Sequence, residues 1–376
     1  MSKAAFVYGV ELTQRDSRVD EIFGPTRLQY TYELLMHYKA FDSPDSTLLA
    51  PEEVDETPLL TFHTSDYINA VRSLSNGENK YNPTRYNFSQ FGDNPVYPGM
   101  YELSITVVGA SLKAAELVSN GEVDVAFNCS GGLHHAAPDH ASGFCVFNDV
   151  VIAIKYLLSQ GLKVAYIDID AHHGDGVQDA FYESDRVLTV SLHESGRYLF
   201  PGTGDVTEIG ADAGKGYAVN IPLSPFTDDE TYLWAFDQVV PALLDRFRPD
   251  ILVTQLGTDS HYLDSMTQLG LTTDGYSDLV KRMSSMAPMW VALGGGGYEM
   301  SVVVRCWTLA YGLMLGRDWP DEVPADYQEL YGLKRLRDNE GPQLSANVKD
   351  RAVRFARESV GRVQELLFPL HGLPSV

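Results

Sequence analysis

Residues 166–175 read Tyr-Ile-Asp-Ile-Asp-Ala-His-His-Gly-Asp. The run leading into them, from Lys163 to Ile167, is short, apolar and partly β-branched, and it follows a helical stretch that stops at Gly161. That combination predicts a buried strand. Asp168, Asp170 and His172 fall at alternate positions, which share one face of an extended chain. A carboxylate and an imidazole so placed at a strand end can grip one metal ion together. An acidic strand end usually caps a helix or meets solvent. Three Asp and two His within eight residues, opening from an apolar strand, outweigh that reading, because buried charge must be paired or bound to metal.

The surrounding chain repeats the alternation of strand and helix. Strands are predicted at 1–10, near 47–50, and at 123–128, 163–169, 187–192, 217–221, 251–256 and 289–293. Helices are predicted at 26–38, 66–74, 100–119, 149–158, 228–247, 273–286 and 301–315. A terminal amphipathic helix is marked by Val348, Ala352, Phe355, Val363 and Leu366. Residues 11–26 and 75–99 read as loops. The second is rich in Asn, Gly and Pro, and a loop of that length points to a functional role. Residues 317–346 read as an irregular appendage. The pattern implies an α/β fold with a mostly parallel central sheet covered by helices on both faces. No repeat, low-complexity tract or linker divides the chain, so residues 1–376 are taken as one domain.

Composition narrows the partners. The chain has 376 residues, a formal charge of −23, 44% hydrophobic and 21% charged residues, an ordinary globular balance. So acidic a surface repels nucleic acid. It attracts a cationic substrate or partner, and it also serves solubility. No apolar run approaches the roughly 20 residues of a membrane span, and the N-terminal stretch is too short for an export signal. Cys129, Cys145 and Cys306 form no C-x-x-C pair, which points to a reducing, cytoplasmic setting without disulfides. Oligomeric state is not legible.

Ligands of open α/β sheets bind beyond the carboxyl ends of strands, and four such ends here are polar. They lead to His134 and His135, to Asp170 and His172, to Asp259, and to Gly294–Gly297 with Tyr298. Asp170, His172 and Asp259 would make a three-ligand centre with an open position, the catalytic rather than the structural arrangement. This set suits zinc and admits ferrous iron. Such an ion polarises a carbonyl and acidifies water. His134 and His135 are the bases at hand, with Asp168 and Asp175 available to fix their tautomers. Tyr298, after a glycine turn suited to close backbone approach, can donate to a developing oxyanion. No Gly-Lys-Ser/Thr follows those glycines, which excludes a P-loop. Cys145 reads as a small buried residue. His63, His140 and His261 acquire no role from their neighbours.

Several motifs, in this order along the chain, resemble the zinc-dependent histone deacetylase family from about residue 20 to 316. They are Gly131-Gly-Leu-His-His135, Ser142-Gly-Phe-Cys145 with Asn148-Asp149, Asp168 to Val177, Phe200-Pro-Gly-Thr-Gly-Asp205 and Gly294 to Tyr298. Gly92 to Met100, Asp259 to Asp264 and Leu271-Thr272 are similar to the family's bacterial acetoin-utilisation branch. The resemblance implies the arginase–deacetylase fold and hydrolysis of an N-acetylated amine, typically acetyl-lysine in a protein or peptide. It implies zinc on Asp170, His172 and Asp259, His134 and His135 as the acid–base pair with His135 the preferred base, and Tyr298 as carbonyl clamp. Gly143, Phe144 and Phe200 would line a narrow tunnel for the lysine stem, and Asp93 would hold substrate backbone at the rim. Potassium is implied at two sites. Asp168, Asp170, His172, Ser191 and Leu192 match one, and Phe181, Ser184, Val187 and Tyr217 match the other.

The chain also departs from the family. Glu21 to Arg27 retains only Pro25 and Arg27 of the usual pattern around a His-Pro pair, and Val146-Phe147 stands where nuclear enzymes have Tyr-Val. Basic tails of a chromatin subunit are not in evidence, which argues against histone as the physiological substrate. A small acetylated amine such as an acetylpolyamine is the competing substrate. Met266, where an acidic gate for a polyamine would stand, weighs against it. A binuclear arginase-like site lacks its Asp-x-Asp at Asp259-Ser260-His261. A silent acetyl-lysine binder would not need the whole set of groups.

Overall fold

Short apolar runs form the centre of the molecule, and alternate residues in each run face opposite ways. In this computed structural model residues 2–13, 26–90 and 92–374 are described. Eight strands make one sheet: β1 (Ala4–Val7), β2 (Ser46–Leu49), β3 (Val125–Asn128), β4 (Val164–Asp168), β5 (Val187–Glu194), β6 (Ala218–Leu223), β7 (Ile251–Gln255) and β8 (Trp290–Leu293). Their order is β2-β1-β3-β8-β7-β4-β5-β6, and every pairing is parallel.

Ten α-helices are present among the described residues: α1 (Thr26–His37), α2 (Ser65–Ser75), α3 (Met100–Ser119), α4 (Asp149–Ser159), α5 (Asp175–Phe181), α6 (Asp229–Phe247), α7 (Thr273–Met283), α8 (Met300–Met314), α9 (Ala325–Tyr331) and α10 (Ala346–Leu367). Phe6, Phe127, Ile167, Val190, Ile221, Leu252 and Ala292 pack under α6, α7, α8 and α10. Their neighbours Ala5, Val7, Ala126, Tyr166, Val253, Val291 and Leu293 pack under α3 and α4 on the other face. Burial on both faces explains why the strands read as continuous apolar runs. Tyr86 and Phe88 anchor the long 75–99 loop in a third cluster with α2.

The expected α/β architecture is present; β1 is shorter than the expected 1–10 and β5 runs two residues past the expected 192, and three other stretches differ. The stretch 175–181 folds as α5, and the 317–346 appendage contains α9. Each has seven residues, too few for a periodic signal, and Gly176 weakens the first further. β6 runs through Pro222 to Leu223. As an edge strand it tolerates a missing backbone donor, and α10 packs against it. The loop expected at 11–26 and the Glu21–Pro25 departure lie mostly outside the described residues.

Candidate active site

β3, β8, β7 and β4 are consecutive neighbours in the sheet. Their last residues Asn128, Leu293, Gln255 and Asp168 are register partners across the three pairings. The strands therefore end level, and the segments carrying His134–His135, Tyr298, Asp259 and Asp170–His172 leave the sheet side by side.

Asp170, His172 and Asp259 are buried, and one ligand atom from each lies within 4.8 Å of the others. His172 Nδ1 is 3.2 Å from Asp170 Oδ1 and 2.9 Å from Asp259 Oδ2. The outer oxygens are tied down. Asp170 Oδ2 accepts from the Gly296 N–H at 2.7 Å and from Gln255 Nε2 at 3.3 Å, and Asp259 Oδ1 accepts from the Ala171 N–H at 2.8 Å. Burial and the Asp170 carboxylate push Asp259 up to about 7. Burial works against charge on Asp170 too, but the His134 and His172 imidazoles hold it well below the usual carboxylate range. Two buried carboxylates converging on one imidazole form an anionic cavity that calls for a cation. An oxygen–oxygen–nitrogen set of this kind fits a divalent metal ion. Gly296 permits the arrangement, because an added Cβ would lie 2.8 Å from Asp259 Cγ.

Beside this cluster stand two imidazoles, each backed by a carboxylate. His134 Nδ1 lies 2.8 Å from Asp168 Oδ2, and His135 Nδ1 lies 2.7 Å from Asp175 Oδ1. Both Nε2 atoms turn toward each other at 3.0 Å. Tyr166 donates its hydroxyl to Asp168 Oδ2 at 2.7 Å. Burial disfavours charge on either ring. At His134 the carboxylates of Asp168, Asp170 and Asp175 outweigh it and lift the ring to about 9. At His135 burial and the adjacent His134 prevail and hold it down to about 4. The pair thus carries one charged and one neutral ring near neutrality.

Aromatic rings lie against the imidazoles and Tyr298. Phe200 meets His135 edge-on at 5.1 Å between centroids, and Phe144 stands 6.0 Å from Tyr298. Gly143 takes φ 49°, and a Cβ there would strike the His135 and Phe200 rings. Phe144 follows at φ 67°, a left-handed backbone that costs a bulky residue about 1–3 kcal/mol and concentrates at functional sites. Tyr298 is 6.5 Å from His172, and burial followed by the Asp259 and Asp170 charges keeps its hydroxyl protonated. Met266 is 47% exposed. Asp93 is exposed on a loop whose Asn87 amide bonds the Ala141 carbonyl. Of the potassium-matched residues, Ser191 pairs in register with Asp168, and the Leu192 carbonyl accepts from Tyr232. Phe181, Ser184 and Val187 border the α5–β5 turn, and Tyr217 accepts from Thr189 next to it.

Other contributors acquire no site role from the sequence, although Arg27, Asn148, Asp149 and Asp264 stand within the motifs quoted above. Gln255 Nε2 bridges Asp170 and the Gly132 carbonyl. Asp264 accepts from the N–H groups of both Tyr298 and Met266, at 2.8 and 2.9 Å. Arg27 holds the carbonyls of Gly295 and Gly297. Asn148 binds the carbonyls of His134 and Ala136 through its side-chain amide, while Asp149 receives the N–H groups of Gly132 and Leu133. His63 Nε2 accepts from the Asn148 N–H, and burial keeps the ring neutral, down to about 4. His261 binds Asp338 at 2.8 Å.

A parallel sheet whose strand ends carry a buried Asp/His/Asp cluster beside two carboxylate-backed imidazoles defines the metal-dependent hydrolase class. Comparison with known proteins narrows it. Residues 21–314 match the histone deacetylase domain. The chain is 38% identical to type-1 histone deacetylase 1 of Dictyostelium discoideum over 93% of its own length and 70% of the relative's. It is 38% identical to the acetoin utilization protein AcuC of Bacillus subtilis (strain 168), over 87% and 86%. Crystal structures of a histone deacetylase homologue, from Aquifex aeolicus and in complex with SAHA, superpose with TM-score 0.84 and 30% identity. They cover 95% and 94% of this chain and 100% of those chains. The chain belongs to the histone deacetylase family and is a hydrolase of the deacetylase type. No helix among the described residues is long and apolar enough to cross a membrane.

Proposed function

We propose that this protein hydrolyses N-acetyl-lysine in a polypeptide to lysine and acetate. The observation that carries the reading is the union of the Asp170/His172/Asp259 cluster with the His134–Asp168 and His135–Asp175 pairs at one set of strand ends. Those three ligands would hold zinc or ferrous iron, which supplies Lewis acidity to the acyl carbonyl and to water. Asp175 accepts a hydrogen bond from the Nδ1–H of His135, which fixes the tautomer and leaves Nε2 as the base. That nitrogen receives the proton as water adds to the carbonyl carbon. Cationic His134 faces the developing negative charge, and the pair returns a proton to the lysine nitrogen as the C–N bond breaks. Tyr298 donates its hydroxyl to the carbonyl oxygen. Gly143, Phe144 and Phe200 exclude water and line the lysine stem, Met266 lies at the mouth, and Asp93 holds the substrate backbone. Potassium at the Ser191–Leu192 and Phe181–Tyr217 positions would support the strand ends from behind. The described part of residues 317–376 packs into the same core through Leu336, Val360 and Leu367, so we take 1–376 as one catalytic domain, acting in the cytoplasm.

The test is metal content together with turnover of an acetyl-lysine peptide and of an acetylpolyamine. One ion per chain and peptide turnover are expected, with roughly a hundredfold or greater loss of kcat in Tyr298→Phe. Turnover of the polyamine alone, or an undiminished Tyr298→Phe enzyme, would overturn the reading.

A further inference from the structure

A groove of about 500 Å³ runs between the 196–200 loop, the 224–226 turn and the first half of α10. Tyr198, Pro225, Phe226, Gln268, Arg351 and Arg354 line it. Tyr198 is two residues from Phe200 and Gln268 two residues from Met266, so the groove opens beside the residues assigned to the tunnel mouth. We propose that it is a substrate subsite that holds an aspartate or glutamate carboxylate near the acyl-lysine of a polypeptide. The inference rests on the deacetylase reading above.

Charge is the first ground. The chain has 51 acidic and 28 basic residues, yet α10 reverses the balance, with five Lys and Arg against three Asp and Glu. Two of those cations are spoken for, Lys349 by Asp228 and Arg362 by Glu365. Arg351 and Arg354 have no carboxylate partner among the described residues. Glu358, which lines the same groove one helical turn beyond Arg354, pairs with neither among the described residues. Arg197, likewise without a carboxylate partner, lies 6.0 Å over the Phe355 ring and extends the positive field toward the 196–200 loop. In so acidic a molecule a local excess of guanidinium is an electrostatic device for a negative group.

Shape is the second ground. Tyr198 is 59% and Phe226 42% exposed. Phe226 adopts φ 66°, a conformation that costs a bulky side chain and is tolerated where the surroundings fix it. Here the Phe226 N–H donates to the Gln268 carbonyl at 2.6 Å. Exposed aromatic rings beside unpaired arginines are the side chains that dominate recognition surfaces. An extended peptide rises about 3.3 Å per residue, so positions within four residues of the acyl-lysine sweep a reach of about 13 Å.

The experiment compares kcat/KM for acetyl-lysine peptides carrying Glu, Ala or Lys at each position within four residues on either side. Wild type and the R351Q/R354Q double variant are compared, with melting curves confirming that both fold. Wild type should prefer Glu over Ala on one side by about twofold to fivefold. The preference should weaken as salt rises and collapse to one in the double variant. Equal rates for Glu and Ala, a preference for Lys at every position, or an acidic preference that survives R351Q/R354Q would overturn it. N-acetyl-lysine methylamide, too short to reach the groove, tests the deacetylase reading separately. If it is not turned over, anisotropy with the labelled Glu and Ala peptides still decides the groove. Equal affinities refute it, and a Glu advantage lost in R351Q/R354Q sustains it.

Discussion

Replacing Gly296 by alanine should weaken metal binding at the proposed Asp170/His172/Asp259 site while leaving the fold standing. The Gly296 N–H donates to Asp170 Oδ2 at 2.7 Å, so the backbone cannot withdraw without releasing that ligand. A Cβ at this position would press first on Asp259 Oδ2, and would lie 2.8 Å from Asp259 Cγ and 2.9 Å from Asp170 Oδ2. Non-bonded contacts relax near about 3.5 Å, which requires the Asp259 carboxylate to retreat by more than about 1 Å. A functioning centre holds its ligand distances to within about 0.2 Å. Overpacking of this kind costs about 1–3 kcal/mol. Carried by the ion-bound state, that strain lowers affinity about 5-fold to 150-fold. Zinc titration against a competing chelator measures the change, and circular dichroism with thermal melting establishes that the variant is folded. A folded Gly296→Ala protein that binds zinc as tightly as wild type would refute the view that this backbone position places the two carboxylates.

Metal removal itself should be visible in stability. An ion at a hundred times its dissociation constant stabilises by about 2.7 kcal/mol, so chelation should lower the melting temperature and zinc should restore it. With Asp259 pushed up to about 7 and His172 raised well above its ordinary value by Asp170 and Asp259 against the effect of burial, the metal-free site holds extra protons. Metal affinity should therefore climb as pH rises through 7, about tenfold per unit for each proton released, as calorimetry in buffers of different ionisation enthalpy can show. Asp338 is half-buried beside Arg305, 2.6 Å away. Burial opposes its charge, but His261, the Thr273 N–H and Arg305 hold it well below the usual carboxylate range. Its contribution is complete above the unfolded value of about 4 and is lost as pH falls through the folded one. Asp338→Asn should cost about 3 kcal/mol at neutral pH, with the gap to wild type narrowing in acid, as denaturant titrations at several pH values would reveal. Gly361 lies in α10 with nothing within 4 Å of an added Cβ. Gly361→Ala should raise stability by about 0.5–1 kcal/mol, and an unchanged or lowered denaturation midpoint would contradict this.

Local patterns were legible in the sequence where the chemistry is local. Asp170 and His172 declare themselves by alternation off an apolar strand, and the two imidazoles by adjacency. Asp259 is harder, since its relation to Asp170 exists only because β7 pairs with β4. The order of the strands has no such trace. Nothing in residues 290–293 announces that β8 lies between β3 and β7. The supporting groups were hidden for the same reason. Arg27 reaches Gly295 across 268 positions, Gln255 reaches Gly132 across 123, and Asp338 reaches His261 across 77. No window of sequence contains both partners. The two helices that went unforeseen, α5 and α9, are too short for periodicity to register.

The place of β8 also bears on how the molecule comes into being. On a ribosome the chain emerges from its N-terminus, and β1, β2 and β3 can associate early, as can β4 to β7. These are two separate half-sheets, with β3 and β7 each presenting an open edge. Only when residues 290–293 have left the exit tunnel can β8 enter between them and join the halves. Asp170, His172 and Asp259 lie in one half and His134 and His135 in the other, so a nascent chain lacks the complete constellation until that late insertion. Synthesis interrupted before this point leaves two exposed edges, a substrate for chaperones rather than a partial enzyme.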